Sequence, residues 1–377
     1  MKKILIFQPK ETLAPIGGQE GYLFNLSHAL TQLDYNVDFI KYGVPARKTS
    51  RKLPHRLIEL LRAIKYSNTL KIHKSYDPTW LDYDVMHFHR TLDMYYYRNF
   101  LRQYKGKVAL TSHSPCAYHQ EMINKLNKFD YRLLKKKINK LEEIDQYAFS
   151  RADYIVYPCA EAEEPYFHSW PRYREIRDPQ KMRFILTGIN QCTPEIPKDI
   201  TREKYHLSDS DFVICYAGRH NEIKGYDNLI KIGMSAIKEL DAKVIVAGKQ
   251  GNIPAPQNPS WIEIGWTKNP YSIINSADVF ILPNRETYFD IAMLEALSLG
   301  KIILATYTGG NKIFKKFKNA GIFYYTSPEE ALQQLQYIKN LDATTRLKLE
   351  KRNQEIFTEN FTSEIFAKKY IELMESL

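Results

Sequence analysis

The sequence predicts an α/β protein of two doubly wound, mostly parallel Rossmann-like domains, and three observations carry that expectation. Short apolar, β-branched runs such as Ile4–Phe7 and Val279–Leu282 alternate with longer segments whose apolar residues recur at helical spacing. The alternation occurs twice, on either side of a turn-rich stretch, Ile185–Pro197. At 377 residues the chain also exceeds what one hydrophobic core usually organises. The domains are expected at residues 1–187 and 188–360, with residues 361–377 forming an amphipathic helix that packs back toward the first domain.

In the first half, Met1-Lys-Lys-Ile-Leu-Ile-Phe has the charged start of a signal peptide, but its apolar run stops at Gln8-Pro9 and reads as the first strand. A turn through Pro15-Ile16-Gly17-Gly18 follows, then a helix over Tyr22–Leu33. Further strands are expected at Val37–Ile40, Asp84–Phe88, Val108–Ser112 and Tyr154–Tyr157. The second half repeats the scheme with Phe212–Ala217, Lys243–Ala247, Trp261–Ile264, Val279–Leu282 and Ile302–Ala305. After Pro283, Thr287 is placed to cap a helix, Asp290 stands three residues on as in a capping box, and Gly300 occupies a C-terminal glycine position. Two such domains facing each other put the carboxyl ends of both sheets around an interdomain cleft, the expected active site, with hinge closure expected.

Lys plus Arg number 54 against 43 Asp plus Glu, a net charge of +11, which points to an anionic partner. The excess concentrates in Arg47–Lys74, with nine basic residues against Glu59 alone, and in Lys125–Lys140, with seven against Asp130. In the latter, Leu126, Phe129 and Leu133 share a helical face ringed by lysines, a pattern found both in ordinary solvated helices and in helices that rest on anionic membranes. No nucleic-acid-binding motif accompanies the charge. The scattered Cys116, Cys159, Cys192 and Cys215 lack metal or disulfide spacing and fit a reducing cytoplasm. No apolar run is long enough to span a membrane, so any membrane contact is expected to be peripheral.

A helix that starts at the carboxyl end of a parallel strand favours phosphate. Glu295, placed two turns inside that helix, supplies a carboxylate suited to the diol of a ribose; taken alone, a plain solvated helix residue is the stronger reading. Arg219 and Lys224, in Gly218-Arg-His-Asn-Glu-Ile-Lys-Gly after a strand, put two cations where a diphosphate can be held; a solvated basic loop is the competing reading. Gly17-Gly18 and Thr308-Gly309-Gly310-Asn311 are either close-approach sites for a ligand or plain turns. His113 ends a strand and either bonds a sugar or satisfies a backbone carbonyl. His87 and His89 alternate along a strand, but no third ligand stands at metal-binding spacing, so no metal is expected.

Taken in order, the Gly-Gly turn, His113, Gly218-Arg219 with Lys224-Gly225, Gly265-Trp266, Ala277-Asp278 through Glu295-Ala296, and Gly309-Gly310 resemble retaining glycosyltransferases of the GT-B fold, particularly glycosyltransferase family 4, over nearly the whole chain. That resemblance implies that Arg219 and Lys224 hold a donor diphosphate and that Glu295 holds the nucleotide ribose. It further implies that the backbone of Phe289, Asp290 and Ile291 meets phosphate and sugar, and that Gly265, Trp266 and Thr267 lie beside the base. Gly17 and Gly18 would approach the diphosphate, and His113 would contact the donor sugar. One departure stands out: the position of the family's first glutamate is Thr287, with Glu286 displaced by one residue.

The expected activity is transfer of a sugar, with retention, from a nucleotide diphosphate donor, UDP being favoured by family frequency, to a hydroxyl of a glycan, lipid-linked or polymer acceptor. No cofactor is required beyond the nucleotide sugar. A cytoplasmic enzyme of bacterial cell-surface polysaccharide synthesis, peripheral on the membrane, is the expected setting. A non-catalytic partner subunit of the same fold and a GT-B sugar-nucleotide epimerase are the alternatives.

Overall fold

The computed structural model describes residues 1–8, 13–15, 18–41, 61, 64, 68–124, 126 and 128–377. Gly17 and most of the basic segment 47–74 lie outside the described residues, as does Lys125. The chain divides into two compact units, Met1–Ile185 with Ala367–Leu377, and Leu186–Phe366.

The first unit holds a six-stranded sheet of β1 (Ile4–Gln8), β2 (Asp38–Lys41), β3 (Val85–Phe88), β4 (Lys107–Leu110), β5 (Tyr154–Tyr157) and β6 (Met182–Phe184). Its order is β2-β1-β3-β4-β5-β6, and every pairing is parallel. The second unit holds β7 (Phe212–Ala217), β8 (Ala242–Ala247), β9 (Trp261–Gly265), β10 (Val279–Leu282), β11 (Ile302–Thr306) and β12 (Ile322–Tyr325). Its order is β12-β11-β10-β7-β8-β9, again all parallel. Both sheets thus reverse their direction of growth once, between β1 and β3 and between β7 and β10. Ligands of open α/β sheets bind outside the strand ends at such switch points.

Strands β6 and β12 were not foreseen. β6 has three residues with Arg183 at its centre, and β12 is an aromatic run, Ile-Phe-Tyr-Tyr, without alternation. Both sit at sheet edges, where pairing to one neighbour decides the conformation and local pattern does not.

Burial on both faces explains the continuous apolar strands. Along β7, Val213 and Cys215 face a core that includes Phe280, Leu282, Met293 and Leu294. Ile214 and Tyr216 face the opposite core with Leu229, Ala236 and Ile281. The C-terminal helix Ser363–Ser376 has its first turn in the second unit and the rest in the first. There Tyr370 and Met374 are fully buried, and Glu375 accepts hydrogen bonds from the Lys2 backbone (3.1 Å) and the Tyr35 hydroxyl (2.5 Å).

Two local expectations need correction. The helix after β10 begins at Ile291, with Asp290 at its N-cap position, so Thr287 caps nothing and Glu295 stands one turn in rather than two. Asp290 makes no side-chain cap bond because its carboxylate is committed elsewhere, as described below. Gly300 does end the helix in the left-handed region, at φ 67°. In the helix Lys128–Asn139, Leu134 and Ile138 face inward, while Phe129 and Leu133 are 75% and 64% exposed. The inward face is therefore offset from the one that pairs Phe129 with Leu133.

At the other end of the second sheet, Arg202 is almost wholly buried. It donates to Asp278 (2.9 Å), to the Ser276 carbonyl (2.9 Å) and to the Ser208 carbonyl (2.9 Å). Asp278 Oδ2 also accepts from the Val213 backbone (2.8 Å), which ties the entry of β7 to that of β10. Losing the buried guanidinium would leave the Ser276 and Ser208 carbonyls without their donor and leave Asp278 with Lys198 (3.7 Å) and the Val213 N–H. Arg202→Met is therefore expected to cost about 3 kcal/mol, read as a lower urea midpoint of the second domain; an unchanged midpoint would refute the anchoring role.

Candidate functional site

The switch point between β7 and β10 gathers the loops that carry the candidate donor residues. Gly225 has φ 64°, and a Cβ there would fall 1.7 Å from the Pro283 carbonyl oxygen. Only glycine lets the 218–225 loop lie against the exit of β10. Within it, the Lys224 backbone donates to Asn221 Oδ1 (2.9 Å), and Lys224 Nζ pairs with Asp290 Oδ1 at 2.6 Å. Arg219 is exposed, and its carbonyl accepts from the Tyr216 hydroxyl at 2.9 Å.

Asp290 is 3% exposed and serves three loops. Oδ1 takes Lys224 from the β7 loop. Oδ2 accepts from Asn284, which follows β10, and from Asn311 (3.1 Å), which follows β11. Both asparagines are buried. A buried carboxylate persists only if paired and hydrogen-bonded, and this one is both. Sequence reading placed the Asp290 side chain in a capping box and its backbone at the phosphate, and it pointed neither to this network nor to the part Asn284 and Asn311 play in it. The available signal was that all three are short polar residues in segments that follow β10 or β11, where buried polar groups need partners.

Thr308-Gly309-Gly310 resolves as packing. A Cβ on Gly309, at φ 46°, would lie 1.9 Å from the Thr287 carbonyl oxygen, so this glycine serves backbone-to-backbone contact with the 287–288 segment. Thr287 is buried and its carbonyl accepts from the Gly310 backbone at 3.3 Å; Glu286 is half-buried.

Glu295 lies on the helix that Asp290 precedes. Burial pushes its carboxyl up to about 7; a hydrogen bond from Tyr271 opposes the shift and the Asp290 charge adds to it. Tyr271 belongs to the helix Pro270–Ser276, which Asn269 caps by accepting from the Ser272 backbone (3.1 Å). The preceding turn carries Gly265, at φ 76° with open space where a Cβ would be, and Trp266, 58% exposed. Thr267 Oγ1 accepts from the Asn269 backbone at 3.1 Å. Phe289 packs its ring against Phe314, with centroids 5.6 Å apart, and Ile291 packs against the same core.

His220 also escaped notice. It is buried between Arg219 and Lys224, stacked on Tyr226 with ring centroids 3.9 Å apart and planes 2° apart. Its Nε2 lies 3.7 Å from Glu263, and burial lowers its pKa.

In the first unit, Gly18 opens the helix Gly18–Gln32, and a Cβ there would meet nothing within 4 Å. Among the described residues, packing therefore does not demand a glycine there. His113 follows β4 with φ 55°, a strained conformation for a non-glycine residue. Its Nε2 lies 2.9 Å from His89 Nδ1. His87 bonds Tyr370 (3.0 Å) and Thr111 (2.9 Å).

With this geometry in view, the comparisons with known proteins agree. Residues 16–190 match the Glycosyltransferase Family 4 model, and residues 211–339 match Glycosyl transferases group 1. Among curated proteins no sequence match is found. Solved structures share the fold at low identity. Sucrose-phosphate synthase from Thermosynechococcus elongatus aligns with TM-score 0.69 and 15% identity over 100% of this chain and 99% of its own. Anabaena HepE in complex with UDP gives 0.63 and 15% over 100% of both chains. The catalytic domain of starch synthase IV from Arabidopsis thaliana, bound to ADP and acarbose, gives 0.69 and 14% over 99% and 98%. Two parallel doubly wound sheets, the full-length alignments and the two domain matches together make the chain a GT-B glycosyltransferase, with a family 4 domain followed by a group 1 domain.

Proposed function

We propose that the protein moves a sugar, with retention, from a nucleotide diphosphate donor to a hydroxyl of a glycan or glycoconjugate. The observation that carries this reading is the convergence of the Arg219–Lys224 loop, Asp290 and Glu295 at the β7–β10 switch point of the group 1 domain. Arg219, Lys224 and the backbone N–H groups opening the helix Ile291–Ser298 offer positive charge to the diphosphate. Lys224 keeps one hydrogen to Asp290 and has two others to give. Glu295 accepts from the ribose hydroxyls, and Gly265, Trp266 and Thr267 flank the base.

In the transfer, the bond from the anomeric carbon to the diphosphate oxygen breaks. The acceptor oxygen bonds that carbon from the same face, and the acceptor proton passes to the departing phosphate. Charge grows on the leaving diphosphate, where Arg219 and Lys224 stabilise it. In the second domain the backbone of Phe289 and Ile291 is assigned to phosphate and sugar; in the first, Gly18 is assigned to the diphosphate and His113 to the sugar. UDP is the favoured nucleotide. Thr287 supplies no charge and is buried, and the Asp290 carboxylate is committed to Lys224, Asn284 and Asn311, so Glu286 is the acid left to select the sugar.

The first domain is read as taking the acceptor, a glycan, a lipid-linked sugar or a polymer of bacterial cell-surface synthesis. No helix among the described residues is long and apolar enough to cross a membrane. Exposed Phe129 and Leu133, flanked by Lys128, Arg132, Lys136 and Lys137, suit a peripheral seat on the anionic inner face of the cell membrane, with the enzyme otherwise cytoplasmic.

Three measurements test these readings. In a calorimetric screen of nucleotide sugars, one donor is expected to bind, and Arg219→Ala to weaken it at least about tenfold through loss of a charge-assisted contact; absence of any nucleotide binding would instead support a non-catalytic subunit. Because the Glu295 carboxyl titrates near 7 and accepts hydrogen bonds best when ionised, nucleoside diphosphate affinity should rise with pH between about 6 and 8. Glu295→Gln should weaken binding and flatten that slope; a slope unchanged in the variant would remove Glu295 from the ribose. Flotation with anionic liposomes should succeed for the native protein and fail for Phe129→Asp/Leu133→Asp, while flotation of neither rejects the membrane seat.

A further inference from the structure

His113 is held by neighbours that limit where its proton can sit. Its Nε2 lies 2.9 Å from His89 Nδ1, the two rings stack with centroids 5.1 Å apart, and the edge of Tyr22 meets the His113 ring at 4.6 Å. The backbone of His113 is in the left-handed region, so its placement is maintained against local preference. His89 is fully buried, and its Nε2 has no hydrogen-bond partner among the described residues. The ring of His87 lies against His89, with centroids 4.1 Å apart, but both its nitrogens are engaged by Tyr370 and Thr111. Burial holds His89 far below its ordinary pKa and His113 down to about 3, so both imidazoles are neutral near pH 7.

Two neutral imidazoles joined by one N···N bond admit two arrangements. If His113 donated from Nε2, His89 would carry its own proton on Nε2, a buried N–H with no acceptor among the described residues. If His89 donates from Nδ1, its Nε2 is a bare lone pair instead. Orphaned buried N–H groups are the rarer defect. We propose that His89 is a positioning residue, which donates Nδ1–H to His113 Nε2 and locks His113 as the Nδ1–H tautomer.

His113 then has a single, fixed N–H and an occupied acceptor nitrogen. Such a ring serves as an oriented hydrogen-bond donor and not as a proton shuttle. The inference rests on the reading that His113 meets the donor sugar, for which it specifies how: as donor to an oxygen, with no proton taken up during the transfer.

The test uses the ligand-free protein and so stands apart from any donor screen. Long-range proton–nitrogen correlation on uniformly 15N-labelled protein near pH 7, with the His113 ring assigned by its loss in His113→Gln, reads which nitrogen carries hydrogen. The native protein should show Nδ1–H alone. His89→Phe keeps the ring shape and removes the donor, and should lose that single tautomer for a mixture or for Nε2–H. His89→Asn places an amide N–H where Nδ1 was and should restore it. An Nε2–H tautomer in the native protein overturns the proposal whether or not His89→Phe folds, and an unchanged spectrum in His89→Phe does so too. If the tautomer is as stated and no nucleotide binds, the lock stands and the transferase reading falls.

Discussion

The loops at the β7–β10 switch point of the second domain depend on one buried carboxylate. Asp290 sits at the head of the helix Ile291–Ser298, yet its oxygens are spent on Lys224, Asn284 and Asn311, one side chain from the loop after each of β7, β10 and β11. An unpaired carboxylate at 3% exposure would cost several kcal/mol, so these three loops are obliged to stay where they satisfy it. The same bonds explain why the helix starts late and why Thr287 is drawn into packing against the Gly309-Gly310 backbone.

The network also sets the electrostatics. Lys224 is aimed but partly neutralised by Asp290, while Arg219 on the same loop is exposed to solvent. Glu295 feels the Asp290 charge and its own burial, and both push its proton affinity up. The two acids are held differently: Asp290 is paired with a lysine, and Glu295, pushed up to about 7 by burial, has Tyr271 as its hydrogen-bond donor. Different environments thus give two neighbouring carboxylates different proton affinities and different partners.

The histidines of the first domain follow a parallel logic. His87, His89 and His113 are kept uncharged by desolvation, and each nitrogen bond among them constrains where the next proton sits. Tyr370 of the C-terminal helix closes one end of that set through His87. The alternation of His87 and His89 along β3 suggested a metal pair; the structure engages His87 with Tyr370 and Thr111, and His89 with His113, by hydrogen bonds.

Much of the architecture was legible in the chain because buried parallel strands write themselves as apolar runs, and ten of the twelve strands among the described residues lie where such runs occur. The two exceptions, β6 and β12, are edge strands whose conformation comes from a single neighbour. Arg219, Lys224, Glu295 and Gly300 could be located from their distance to strand ends, since backbone geometry fixes where a loop or a helix end must fall. What the chain could not express was partnership at long range. That Lys224 meets Asp290, that Asn284 and Asn311 share its second oxygen, that Phe129 and Leu133 turn outward, and that His89 rather than solvent meets His113 Nε2 all depend on which segments the fold brings together. Local pattern decided the elements; tertiary contact decided which polar groups are buried, and the cost of leaving those unpaired decided the site.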